Sequence, residues 1–191
     1  MSHTDQVPPG LLDDVAAQIG ARIPLLLAER PPAPGALVEI TETFEVVALS
    51  PDRVQAGSTD DLRTLVEPTD RRHHQVAVGG TPTLYAWSAP RDGGAPGSEI
   101  VEMAASPLAA ELDRAITVID ALPGDYLVRL LVAPAYHLYA FLLLGDQGET
   151  RVVVVRTARR LAGLQRFQPH DGREFLTALR QVRPVVGMTP N

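Results

Sequence analysis

The amino-acid sequence predicts an α+β fold in a single domain, with a mixed or antiparallel sheet that ends in a three-stranded meander and about four helices. Three observations carry this. Helical apolar spacing recurs in four separated segments, and alternating or wholly apolar runs stand between them. Within 125–156, DYLVRLLVAPAYHLYAFLLLGDQGETRVVVVR, both joints are too short for a crossover, which forces antiparallel pairing.

The elements follow in order. Leu12, Val15, Ile19 and Ile23 recur at helical spacing over 11–23, and Pro24 should end or kink that helix unless LLLAER adds a turn. PPAPG at 31–35 is a stiff connector. In ALVEITETFEVVAL, Val38, Ile40, Phe44 and Val46 share one face and Glu39, Thr41, Thr43 and Glu45 the other, a strand with one wet side; Glu42 interrupts the apolar face. Ser58 with Asp60 and Asp61 suggests a capped helix over 59–66 that ends before Pro68. RRHHQVAV and TLYAWSA are two strands broken at GGTP. APRDGGAPGS, 89–98, reads as a flexible loop. Ser106-Pro107 sets a cap and a proline at the first helical position, ahead of the stripe Leu108, Leu112, Ile116 and Ile119. After the meander, Asp171 and Glu174 stand at capping-box spacing before Phe175, Leu176 and Leu179. The expected domain is 10–186, with flexible tails at 1–9 and 187–191, and no repeat is visible.

Composition excludes several chemistries. The chain has no cysteine, so thiol nucleophiles, disulfides and thiolate metal sites are absent. All 17 basic residues are arginine, which removes Schiff-base lysines and the P-loop lysine. HExxH and GxSxG are missing, and Ser58 and Ser106 already read as caps. His73 and His74 point to opposite faces of a regular strand, so they cannot jointly hold one ion, and a metal would need a distant ligand such as His137 or His170. The expectation is a chain without metal or other cofactor. No apolar run approaches the ~18 residues of a membrane helix, and the polar start lacks a secretory pattern, so a cytoplasmic setting is expected.

The charge is uneven. Residues 1–120 carry 18 acidic groups and 8 arginines, residues 121–191 carry 5 and 9. Arg159, Arg160 and Arg166 in RTARRLAGLQRF form a basic patch suited to an acidic partner, or to the protein's own acidic half. Nucleic acid is disfavoured by a pI near 5.3, 5% aromatics and the absence of a recognition motif.

Symmetric turns would set Val132 opposite Tyr136 and Leu144 opposite Arg151. Arg129, Tyr139 and Arg156 then form a row on one sheet face with His137 one pair away, and Val128, Leu130, Val132, Leu138, Ala140, Leu142 and Leu144 fill the other face. Such a row can grip a phosphate or carboxylate. Its plainer role is a half-exposed face paired with carboxylates, and one register slip destroys it. The sequence thus leads to a non-enzymatic binding or assembly module that recognises a protein partner, its own second copy or an anionic ligand. The alternative is a small enzyme acting on a phosphorylated or carboxylated metabolite through Arg129, Tyr139, Arg156 and His137. A carboxylate pair for acid–base work would have to come from Glu39, Glu42 and Glu45.

Overall fold

A computed structural model describes residues 10–29, 31–94 and 97–185. The tails expected at 1–9 and 187–191 lie outside the described residues. Helix α1 spans Leu11–Leu26, strand β1 Val38–Leu49, α2 Pro51–Ala56, α3 Leu62–Leu65, β2 Val66–Val78, β3 Thr81–Pro90 and β4 Ser98–Ala105. Helix α4 then spans Pro107–Asp120, β5 Tyr126–Ala133, β6 Leu138–Gly145, β7 Thr150–Thr157, β8 Pro169–Asp171 and α5 Gly172–Arg180. The fold is α+β with mixed strand pairing, as the sequence predicts.

The chain packs as two compact units, residues 1–44 with 70–113 and residues 45–69 with 114–191, and β1, β2 and α4 each have residues in both. In the first unit the strand order is β4-β3-β2-β1. Val15, Ile19 and Ile23 of α1 pack on Val76, Leu84, Ala86 and Ile100. Pro24 does not end α1, which runs on to Leu26; the bond it forfeits falls in the last turn, where Leu27 N–H closes on Ile23 at 3.0 Å. Strand β4 was not expected, and it shortens the loop read at 89–98. Ala89 and Pro90 belong to β3, Ser98 opens β4 and is buried, Asp92–Gly94 form a 3₁₀ turn, and residues 95 and 96 lie outside the described residues.

In the second unit the order is β1-β5-β6-β7-β8, with β1 parallel to β5 and the later joints antiparallel. Only the start of β1 alternates; Val46 to Leu49 are buried without interruption, because this stretch pairs with Leu130–Val132 inside the sheet. Helices α2, α3 and α5 cover one sheet face, setting Val54, Leu62, Leu65, Phe175, Leu176 and Leu179 against Leu131, Ala140, Leu142, Val152 and Val154. Helix α2 was missed because six residues are too few to show a period, although Ser50-Pro51 repeats the start signal seen at Ser106-Pro107. The helix expected at 59–66 is reduced to α3. Asp61, not Ser58, caps it by accepting from Arg63 N–H at 3.0 Å, and Pro68 lies within β2.

The first meander joint decides where the candidate site falls. Pro134–Tyr136 form a 3₁₀ turn and His137 takes a left-handed backbone, φ 48°. The strands therefore close on Ala133 opposite Leu138, and Arg129 faces Leu142, not Tyr139. The slip is odd, so it turns Arg129 to the other face. At the second joint Leu144 lies opposite Thr150, and a bulge between Tyr139 and Ala140 restores the expected Tyr139–Arg156 pair. The expected single apolar face does not form either. Val128, Leu130 and Val132 share a face with Leu143, Phe141 and Tyr139, and both faces of the meander are largely buried.

Candidate functional site

The loop from Thr157 to Gln168 is built by its own polar contacts. Thr157 Oγ1 accepts from Arg159 N–H at 3.0 Å and donates to the Arg159 carbonyl at 3.0 Å. Ala158 N–H reaches the His137 carbonyl at 3.3 Å, and Phe167 N–H the Val154 carbonyl at 2.9 Å. Arg166 Nε donates to the Val155 carbonyl at 2.7 Å, and His170 Nε2 lies 3.0 Å from Gln165 N and 2.9 Å from its carbonyl. Leu161 anchors the loop in the core.

Held this way, Arg159, Arg160 and Arg166 line a hollow of about 510 Å³ together with Val154, Leu164 and Gln165. Arg159 and Arg160 are exposed, and no carboxylate among the described residues pairs with either. Beside the hollow, the Arg114 and Arg166 guanidiniums lie 4.4 and 4.8 Å from the centre of the Phe167 ring. Phe167 and His137 are the two non-glycine residues with positive φ among the described residues, and both sit at the ends of this region. Such conformations cost on the order of 1–3 kcal/mol and persist only where surrounding contacts fix them.

A second hollow of about 520 Å³ is lined by Val132, Pro134, His137, Leu138, Tyr139, Arg156, Thr157 and Ala158. Three of the four residues expected to form a row, His137, Tyr139 and Arg156, thus come together over an apolar floor. Arg129 does not join them. It pairs with Glu45 at 3.3 Å on the other face, so the expected Arg–Tyr–Arg row is absent. The two hollows share Thr157 and Ala158 as a wall.

No family model, curated protein or solved structure matches the chain. Function therefore has to be argued from the geometry.

Two other polar clusters bond largely within themselves. The hollow of about 560 Å³ between Thr59–Arg63, Gly148–Thr150 and Asp171–Arg173 mixes both signs of charge. There Arg63 donates to the Gly145 and Glu149 carbonyls and to Thr150 Oγ1, and the bonded Arg180 guanidinium holds Asp60 below the usual carboxylate range. His73 and His74 lie buried in the first unit. His74 bridges Thr43 Oγ1 at 2.9 Å and Ser88 Oγ at 2.8 Å; His73 stacks on Tyr85 at 5.7 Å, with Trp87 edge-on. Burial lowers His73 to about 3 and His74 to about 4. Among the described residues no group of three ligating side chains could hold a metal, and no helix is long and apolar enough to cross a membrane.

Arg159, Arg160 and Arg166, singled out in the sequence, line one hollow, whereas Arg114 and Phe167 beside it gave no signal there. Arg114 is remote in the chain, and nothing in LQRFQ signals a left-handed phenylalanine.

Proposed function

We propose that this chain is a non-enzymatic binding module that recognises an anionic ligand through the loop Thr157–Gln168. One observation supports the reading above others: Arg159 and Arg160 are exposed on a hydrogen-bonded loop, beside a hollow, with no carboxylate partner among the described residues. Most surface arginines lie along acidic neighbours and gain little. Arginines carried on a loop whose backbone is already held bind an oxyanion with less loop-ordering cost, through charge-assisted and often bidentate bonds.

Calorimetric titration with orthophosphate tests this. The wild-type chain should bind at millimolar concentrations, and Arg159→Ala with Arg160→Ala should weaken binding by about tenfold or more, the scale of one charge-assisted bond, with the melting temperature unchanged. Absence of binding to orthophosphate and sulfate, or equal binding by the double variant, would end the reading.

A further inference from the structure

We infer that the outer edge of β4, from Val101 to Ala105, receives an extended basic segment of a partner protein by strand addition. The edge belongs to the first unit and the arginine loop to the second, so this binding is separate from anion capture by that loop.

Strand β4 ends its sheet and has β3 on one side only. Helix α1 reveals which of its backbone groups face outward. Ile100 stands opposite Ser88, and its N–H and carbonyl both go to α1, to Gln18 and Arg22. At the Ser88 position, then, β4 faces away from β3. Antiparallel ladders alternate, so the Ala86 and Leu84 positions do the same, and these stand opposite Met103 and Ala105. Val101 is the extra residue of a bulge between Ile100 and Glu102. The bonds from α1 reach Ser98 and Ile100 and stop there. Among the described residues no strand lies beyond β4, and no loop or side-chain hydrogen bond meets Met103 or Ala105. Outward donors and acceptors on alternate residues are what an added strand pairs with.

Charge selects the occupant. Glu99 and Glu102 are exposed, with Val101, 43% exposed, between them, and neither carboxylate pairs with an arginine among the described residues. The Tyr85 hydroxyl donates to Glu102 Oε1 at 2.6 Å and holds that side chain beside the edge. The unit carries 5 arginines and 12 acidic side chains, net −7. A second copy would set this charge against itself along a short open stretch, and bulges and edge charges are devices that keep edges from pairing with their own kind. A strand with arginine or lysine at alternate positions meets the same carboxylates favourably, because opposite charges facing each other across a ladder stabilise it.

The test is an NMR titration of the ¹⁵N-labelled chain at low ionic strength with a heptapeptide of alternating arginine and valine, and with its alternating glutamate–valine counterpart. The basic peptide should bind below about 1 mM and, at saturation, slow hydrogen exchange at the Met103 and Ala105 amides by about tenfold or more. Glu99→Gln with Glu102→Gln should weaken it about fivefold, the scale of two exposed ion pairs. Ala105→Pro removes an outward N–H and no bond to β3, so it should weaken binding while the chain stays folded. Binding of the basic peptide without slowed exchange at Met103 and Ala105 overturns the edge as its site. Equal affinity for the acidic peptide, or for the double glutamine variant, overturns the basic partner. Slowed exchange at these amides with rising protein concentration alone assigns the edge to a second copy and overturns the inference, as does absence of binding.

Discussion

His73 and Arg129 show how single residues answer to their surroundings more than to their type. His73 is fully buried, and its Nδ1 has no hydrogen-bond partner among the described residues. Because its folded pKa is lowered to about 3, and that of His74 to about 4, the unfolded chain takes up these protons first as pH falls below 6.5. Stability should be full above about pH 6.5 and decline from there to about pH 3, the His74 share being lost by about pH 4, read as a falling urea midpoint. His73→Phe keeps the stacking on Tyr85 and removes one of these protons, so its stability should depend less on pH; an unaltered pH profile would contradict the assignment. Arg129→Ala removes the half-exposed pair with Glu45. It should cost about 1 kcal/mol or less in chemical denaturation and leave phosphate binding unchanged. A loss of anion affinity in this variant would reinstate the row that the register breaks up.

At the scale of elements, edges and caps matter most. Strand β4 is the outer strand of the first unit, and an open edge invites pairing with another chain. Helix α1 covers part of it. Gln18 Nε2 donates to the Ser98 carbonyl at 2.8 Å and Gln18 Oε1 accepts from Ile100 N–H at 3.0 Å. Arg22 adds a bond to the Ile100 carbonyl at 2.9 Å, so α1 makes the contacts a neighbouring strand would make. Gln18→Ala should cost roughly 1–2 kcal/mol and increase self-association, seen as a larger species in size-exclusion chromatography with light scattering. The same contacts set the effect of deleting 89–98. Removing it takes Ser98 out of β4 and Gln18's acceptor with it, so it should lower the melting temperature by several degrees. A deletion variant with wild-type stability would show that the Ser98 contact is dispensable.

For the whole molecule, charge is the organising quantity. The first unit holds 12 acidic side chains and 5 arginines, the second 11 and 12, giving net charges of −7 and +1. A net charge of −6 repels anions at long range, so their capture must come from the local arginine loop. Phosphate affinity should therefore fall steeply as ionic strength rises and screening shortens to ~8 Å. Folding should not respond to chelation: EDTA should leave the melting temperature within about a degree, whereas a bound structural metal would shift it through linkage.

The sequence by itself determined the fold class, the α1 and α4 core stripes, the Asp171 cap and the antiparallel sense of the meander. Each depends on contacts near in the chain or on a simple period: Val15, Ile19 and Ile23 are buried, and Asp171 accepts from Arg173 N–H at 2.8 Å. The clustering of arginines along 156–166 was legible too, because charge density is additive along a segment. Tertiary structure alone decided the register, since one left-handed residue, His137, moved Arg129 to the opposite face without any change in apolar pattern. It also decided that Arg114 meets Phe167 beside Arg166, a juxtaposition of remote residues that no local spacing encodes. Periodicity fixes which face of an element is apolar; only closure of the turns and packing between elements fix which side chains meet.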